Sequence, residues 1–123
     1  MRILVVDDNQ MVRHGVIGLL SSESNWEVCG EAKDGSEALL KARTLRPDLI
    51  LLDVSMPGMN GLEVARLIRQ EVPRVKILVM SQNDPVRLLP GVIGAGGHGC
   101  VDKSRLAADL LKNIKSLEIA SGP

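Results

Sequence analysis

Aromatic residues are almost missing from this sequence: its 123 residues include one Trp, at position 26, and neither Phe nor Tyr. The hydrophobic fraction of 45% must therefore build a core from aliphatic side chains, mainly Val, Ile, Leu, Met and Ala. A site that stacks a planar cofactor between aromatic rings is also disfavoured, because the rings are not there to form it.

Net charge is lacking as well, since 15 Lys and Arg residues balance 15 Asp and Glu residues. No global field would attract nucleic acid or an anionic membrane. No apolar run approaches the roughly 20 residues of a membrane span, and Met1-Arg2 leads straight into a predicted strand without a signal-peptide pattern. Two cysteines are few for a secreted scaffold. We therefore expect one soluble, cytoplasmic domain.

Short aliphatic runs alternate with amphipathic stretches along the whole chain. This alternation predicts five strands and five helices in an α/β fold, a doubly wound parallel sheet with helices on both faces. The predicted strands cover residues 3–6, 26–32, 49–53, 77–80 and 99–102. The fourth helical segment contains Pro90, so we expect that helix to be kinked, short or to begin near Pro90.

The stretch at residues 49–61 organises the chain. Four aliphatic residues predict a strand that is buried on both faces, and the strand ends abruptly at Asp53 before a turn rich in Pro, Gly and Asn. In open α/β sheets, ligands bind at the carboxyl ends of the strands. Asp53 is therefore the first candidate for chemistry.

Three other predicted strands also end in polar residues, which are Asp7 and Asp8, Ser81, and Lys103. In a doubly wound sheet these ends share one edge with Asp53. Three crowded carboxylates repel unless a cation joins them, and hard oxygen ligands around an open pocket suit Mg²⁺. The set therefore predicts phosphoryl transfer to Asp53, with the metal ion and Lys103 neutralising charge on the phosphoryl oxygens.

These residues, with the turn Asp53-x-x-Met56-Pro57-x-Met59-x-Gly61, resemble the receiver domain of bacterial two-component response regulators. Residues 30–38, Gly-Glu-Ala-x-Asp-Gly-x-Glu-Ala, look most like the receivers of LuxR-type transcription regulators. The resemblance implies a flavodoxin-like (βα)5 fold with strand order 2-1-3-4-5. Residues 1–120 would form the receiver, and residues 121–123 a loose tail with no output domain.

The resemblance also implies roles for the site. Asp53 would accept a phosphoryl group from a sensor histidine kinase or a phosphotransfer protein. Asp8, Asp53 and the backbone carbonyl of Ser55 would hold Mg²⁺, with Asp7 acting largely through water.

Lys103 would then contact the phosphoryl group, and Ser81 would move to hydrogen-bond it. Such a domain is a switch and not an enzyme, apart from its own phosphorylation and dephosphorylation.

The chain departs from the receiver pattern at several positions. Cys100 stands where receivers usually have an aromatic residue, Gln82 follows Ser81 where a small residue is common, and Ser104 follows Lys103 where Pro is frequent. Cys29 and Cys100 fall on strands that the family's order places at opposite edges of the sheet. We expect both to be free thiols.

Three alternative functions deserve comparison. A flavin carrier on the same fold would need a neutral phosphate loop where Asp7 and Asp8 stand. A haloacid-dehalogenase-like phosphatase would need a second acid at Ser55. A degenerate receiver, acting as a protein-binding module without phosphorylation, stays open.

Partners follow from the same resemblance. LuxR-type regulators carry a C-terminal helix-turn-helix domain, so the native protein is open to having one, whereas this chain alone should not bind DNA or a membrane. Homodimerisation is also open. The glycine run from Gly94 to Gly99 matches G-x-G-x-x-G but precedes a strand, so a mobile loop is expected there and not a nucleotide site.

Overall fold

The computed structural model describes residues 1–56, 60–82 and 84–120. Five parallel strands form one sheet in the order β2-β1-β3-β4-β5, which confirms the predicted α/β fold and strand order. The strands are β1 (Arg2–Val6), β2 (Glu27–Ala32), β3 (Leu49–Asp53), β4 (Lys76–Ser81) and β5 (Gly99–Asp102). The expected tail at 121–123 lies outside the described residues.

Five helices connect and follow the strands. They are α1 (Gln10–Leu20), α2 (Gly35–Leu45), α3 (Gly61–Glu71), α4 (Pro85–Gly94) and α5 (Leu106–Ala120), with a 3₁₀ turn (Lys103–Arg105) between β5 and α5. Among the described residues, no helix is long and apolar enough to cross a bilayer.

Alternate residues of each strand face opposite sides of the sheet, so the aliphatic core divides into two layers. In one layer, residues such as Leu4, Ile50 and Ile77 pack with α2, α3 and α4. In the other, residues such as Ile3, Leu51 and Leu78 pack with α1, α5 and Trp26. Because both faces are covered, the central strands can be aliphatic throughout.

Side-chain oxygens cap the starts of four helices. Asn9, Asp34, Asn60 and Asp84 each accept hydrogen bonds from the exposed N–H groups of the first turn. At α1, Asn9 Oδ1 accepts from the N–H groups of Met11 at 2.9 Å and Val12 at 3.2 Å. The side chain of Asp8 is therefore not committed to the cap.

Helix α4 corrects one expectation, because it begins at Pro85 and continues through Pro90 to Gly94. The alternative that the helix begins near Pro90 was therefore wrong. Pro85 in the first helical turn lacks an N–H that would be unpaired anyway, and Asp84 caps that turn. The carbonyl that Pro90 leaves without a donor belongs to Val86, in a turn where that residue is 78% exposed and water can replace the lost bond.

The glycines after α4 form a tight helix end. Gly96 has φ +94°, which favours glycine, and its carbonyl accepts hydrogen bonds from Arg69 Nε (3.2 Å) and Nη2 (2.9 Å). The N–H of Gly97 donates to the carbonyl of Val92 at 2.8 Å. A Cβ at Gly97 would lie 2.6 Å from Val92 Cγ1. These contacts place the segment against α3 and α4, in a packed turn where the sequence predicted a mobile loop.

The cysteines and the peptide bonds also bear on the sequence-based expectations. Cys29 on β2 and Cys100 on β5 are free, as predicted. Every peptide bond among the described residues is trans, including Lys103–Ser104.

Candidate functional site: an acidic cluster at the carboxyl ends of the strands

Asp7 and Asp53 lie next to each other at the edge of the sheet. Strands β1 and β3 are neighbours, with Val6 in register with Leu52, so the residues that follow β1 and end β3 emerge side by side. Both side chains are buried: Asp7 is 0% and Asp53 1% exposed. Two buried carboxylates this close require a compensating cation.

Lys103 supplies that cation. Its Nζ atom lies 2.7 Å from Asp7 Oδ2 and 3.4 Å from Asp53 Oδ2, and its side chain is only 9% exposed. It reaches the pair from the end of β5, two strands from β3. The structure therefore brings together Asp7, Asp53 and Lys103, as the strand ends predicted.

Backbone N–H groups hold the other carboxylate oxygens. The N–H of Asn9 donates to Asp7 Oδ1 at 2.9 Å, and the N–H of Ser55 donates to Asp53 Oδ1 at 2.8 Å. Each is a turn in which the aspartate binds the residue two positions later. Both Oδ2 atoms are thereby directed toward the same small volume.

The ionisation of the pair reflects its burial. Burial raises the pKa of Asp53 above its ordinary value, and the negative charge of Asp7 adds to this, while the Ser55 N–H and Lys103 act in the opposite direction. Burial alone would lower the pKa of Lys103, but its hydrogen bond to Asp7 and the charges of Asp53 and Asp7 outweigh burial and raise it. Lys103 is therefore a cation at neutral pH.

Asp8 adds a third, exposed carboxylate. One oxygen from each of Asp7, Asp8 and Asp53 lies within 4.8 Å of the others. Apart from the ion pair with Lys103, the Oδ2 atoms of Asp7 and Asp53 have no hydrogen-bond partner within the described part of the chain. Unsatisfied buried oxygens beside an exposed one are a set of hard donors that fits a divalent cation such as Mg²⁺.

Comparison with known proteins identifies the family of the chain. The family model described as "Response regulator receiver domain" matches residues 3–115. The chain belongs to this family.

Relatives of this receiver domain include LuxR-type and NarL regulators. It is 38% identical over 118 residues to the response regulator GacA of Pseudomonas viridiflava, covering 93% of this chain and 53% of GacA. A LuxR-family two-component response regulator from Aurantimonas sp. SI85-9A1 is 32% identical, with a TM-score of 0.90 over 97% of this chain and 85% of that one.

The signal receiver domain of NarL from Mycobacterium tuberculosis is 34% identical, with a TM-score of 0.85 over 99% and 97% of the two chains. This receiver domain spans about half the length of the curated relatives it matches.

Ser81 and Ser55 lie beside the cluster in this receiver domain. Ser81 ends β4, the strand next to β3, and is 0% exposed. Ser55 is exposed and contributes its N–H to Asp53. Gln82, after Ser81, is also exposed. The serines predicted from the sequence thus lie at the same edge, while residues 57–59 and 83 fall outside the described part.

Cys100 packs where the family usually has an aromatic ring. It is partly buried against the core layer of α2, α3 and α4. Burial, with a smaller contribution from Asp102, raises the pKa of its thiol to about 11. Cys100 is therefore a neutral, apolar side chain at physiological pH.

Two residues beside the cluster were missed by sequence reasoning. Arg13 Nη1 donates to the backbone carbonyl of Asp7 at 2.7 Å, and its Nε donates to Glu31 Oε1 at 3.0 Å. The available signal was a cation one helical turn after the acidic residues, together with a glutamate in the segment that resembles LuxR-type receivers.

A cleft of about 560 Å³ runs between α1 and α5 and reaches the site. Val12, Val16 and Leu19 form its wall on α1, and Leu106 lines it from α5. Lys103 also lines it. The cleft therefore places apolar side chains beside the lysine that pairs with Asp7 and Asp53.

Proposed function

We propose that this receiver domain accepts a phosphoryl group on Asp53 and that the acidic cluster holds Mg²⁺. The observation that supports this most directly is the pair of buried Oδ2 atoms on Asp7 and Asp53. Both pair with Lys103, and each keeps lone pairs that no other described group uses and that a metal ion could take. A merely structural pair would be fully satisfied by protein groups.

Asp53 is the acceptor in this proposal. A carboxylate oxygen of Asp53 donates an electron pair to phosphorus as the bond from phosphorus to the donor's imidazole nitrogen, or to the acyl oxygen of acetyl phosphate, breaks. The leaving group keeps that electron pair. The N–H of Ser55 holds Asp53 Oδ1 in place during the transfer.

Asp7, Asp8, Asp53 and the carbonyl of Ser55 would hold the Mg²⁺ ion. When bound, the ion would supply positive charge beside the transferred oxygens. Asp8 is well suited to complete the set because Asn9 takes over the capping of α1.

Lys103 pairs with Asp7 and Asp53 before transfer and would pair with a phosphoryl oxygen afterwards. Ser81 would donate its hydroxyl to another phosphoryl oxygen. Because Ser81 ends β4 and Lys103 directly follows β5, their rearrangement would alter the face formed by α4, β5 and α5.

A sensor histidine kinase or a phosphotransfer protein is the partner proposed as donor. The cleft beside α1 offers it apolar contacts next to Lys103, which pairs with Asp53. Since LuxR-type regulators are among the relatives, we further infer a role in transcription regulation for the whole protein, through a helix-turn-helix domain.

The test is an intact-mass measurement after incubation with acetyl phosphate, with and without Mg²⁺, on the wild type and on Asp53→Asn. A Mg²⁺-dependent phosphoryl adduct on the wild type alone is expected. No adduct under conditions that modify another receiver domain would contradict the proposal and favour a phosphorylation-independent binding module.

A further inference from the structure

Arg13 connects the acidic cluster to the neighbouring strand β2. It lies in the first turn of α1, and its side chain is only 15% exposed. The guanidinium contacts Asp7 on one side and Glu31 of β2 on the other. It reaches no carboxylate of the cluster in the described contacts, only the backbone of Asp7.

That backbone contact completes the anchoring of Asp7. The N–H of Asp7 donates to the carbonyl of Ala32 at 3.0 Å, which ends the pairing of β1 with β2. Within the described ranges no backbone N–H of a neighbouring strand bonds to the Asp7 carbonyl, which instead accepts from Arg13 Nη1 at 2.7 Å. The side chain of Asp7 is held separately by Asn9 and Lys103.

Glu31 orients the guanidinium. Its Oε1 accepts from Arg13 Nε, and its backbone carbonyl accepts from Lys41 of α2. The planar guanidinium can serve two acceptors at once along different edges, whereas a lysine ammonium at this position has no such fork. The residue pattern Gly30-Glu31-Ala32 therefore acquires a physical role next to the site.

We propose that Arg13 is a positioning residue, which holds Asp7 in the geometry required for divalent-cation binding, and that Glu31 orients it. This inference rests on the proposed Mg²⁺ site.

The sign of the effect separates positioning from simple electrostatics. Arg13 is a cation close to the cluster, so its removal should strengthen cation binding if charge alone mattered. Removal of a group that orients a ligand should weaken binding, and outer-shell partners of metal ligands typically contribute tenfold or more to affinity. The two explanations predict opposite changes in the dissociation constant.

The experiment is a calorimetric titration of the protein with Mg²⁺ at fixed ionic strength. The variants are Arg13→Gln, Arg13→Lys and Glu31→Ala, with Arg43→Gln as the matched control, since Arg43 pairs with Glu71 on the surface far along the chain. We expect the dissociation constant to rise roughly tenfold in Arg13→Gln and less in the other two site variants. The control should match the wild type.

An unchanged or lower dissociation constant in Arg13→Gln would overturn the inference. If that variant does not fold, the dissociation constant of Glu31→Ala is the test, and an unchanged or lower value there would overturn the inference. Glu31 is 39% exposed, and its truncation removes only the contact with Arg13 Nε.

A kinetic readout adds a second criterion. The rate of phosphorylation by acetyl phosphate should be low in Arg13→Gln at limiting Mg²⁺ and return to the wild-type rate at saturating Mg²⁺. A deficit that persists at saturation would also contradict a positioning role.

A failure of the proposed function would give a different result from a failure of the role of Arg13. If the wild type itself neither binds Mg²⁺ nor forms an adduct, the proposed function is wrong. If the wild type does both and Arg13→Gln behaves identically, only the role of Arg13 is wrong.

Discussion

His98 accepts a hydrogen bond from the N–H of Ile77 through its ring atom Nδ1 at 3.1 Å, and its own backbone N–H donates to the Ile77 carbonyl at 2.8 Å. The imidazole thus extends the pairing of β4 and β5 by one side-chain bond. Nδ1 can accept only when it carries no proton. Burial lowers the pKa of His98, and the positive charges of Arg69 and Lys76 lower it further.

Stability should therefore fall at mildly acidic pH through His98. The native state holds its proton less tightly than the unfolded chain, so this contribution is complete above pH about 6.5 and is lost as the pH falls through the folded-state pKa. His98→Asn should remove this dependence, because the Asn Oδ1 atom can accept the same bond without titrating.

Urea unfolding of both proteins between pH 5 and 8, followed by Trp26 fluorescence, measures the effect. We expect the difference between them to change by about 0.5 kcal/mol, since His98 is exposed and solvent weakens the contribution of its hydrogen bond. His14 is present in both proteins and cancels. Parallel pH profiles would contradict the prediction.

Asp53→Asn should stabilise the protein when no divalent cation is present. The raised pKa of Asp53 means that the buried carboxylate is held at a cost once ionised. Because the folded state binds this proton more tightly, stability through Asp53 falls as the pH rises from about 4 through the folded-state pKa. The variant's advantage should thus be greatest near neutrality.

We expect about 1–2 kcal/mol in urea unfolding at pH 7. Added Mg²⁺ should narrow the difference by stabilising the wild type more than the variant. A variant less stable than the wild type in chelator would show that Asp53 contributes to folding through contacts that the amide does not reproduce.

Lys103→Gln should destabilise the protein, because it leaves two buried carboxylates without their cation. The expected loss is about 3 kcal/mol at pH 7. Lys103 has a raised pKa, so its contribution is complete below its unfolded value of about 10.4 and is lost only as the pH rises through the folded-state pKa.

Lys112→Gln is the control, since Lys112 pairs with Asp109 while its own side chain is 76% exposed. Equal urea midpoints for the two variants would mean that the buried ion pair contributes nothing. Mg²⁺ should recover part of the loss in Lys103→Gln and none in the control.

Gly61→Ala should destabilise the connection between β3 and α3. A Cβ at Gly61 would lie 2.4 Å from Val54 Cα and 2.9 Å from Val54 Cβ, and Val54 directly follows Asp53. Relief requires the backbone to move, at a cost of about 2 kcal/mol. Gly18→Ala in α1 has nothing within 4 Å and should gain about 0.5–1 kcal/mol.

Thermal unfolding of Gly61→Ala and Gly18→Ala tests both predictions. Opposite shifts in melting temperature are expected. A loss in Gly18→Ala as large as that in Gly61→Ala would show that the contact with Val54 is not the cause.

The strand ends could be predicted from the sequence because the physics is local. An aliphatic run that stops at a polar residue marks both the strand and its end, and parallel strands align their carboxyl ends. Asp7, Asp53 and Lys103 were found in this way. The neighbours of each strand, however, came from resemblance to a family and not from periodicity.

Helix α4 shows where local reasoning fails. The cost of Pro90 was assigned as if the helix were isolated. In the structure, the hydrogen bond that Pro90 removes lies in a solvent-exposed turn, and Asp84 caps the start of the helix. A helix-propensity scale does not include either effect.

The link from Arg13 to Glu31 was out of reach for a different reason. The register of β1 against β2 shifts between Ile3 and Leu4, where an irregularity inserts one residue. A shift of one residue turns a side chain to the opposite face. Whether Glu31 faces α1 therefore depends on a bulge that leaves no clear trace in the sequence.

Lys103 reaches its carboxylates from β5, the strand at the outer edge of the sheet. Local opening of an edge strand ordinarily costs its own hydrogen bonds and packing contacts. Here the same opening would also withdraw the cation and leave Asp7 and Asp53 facing each other. The carboxylate pair therefore makes local opening of β5 less favourable, although Lys103 is 96 residues away from Asp7 along the chain. The charge cluster links the first strand and the last into a single cooperative unit, in which amide protons of β5 should exchange as slowly as those of its interior neighbour β4.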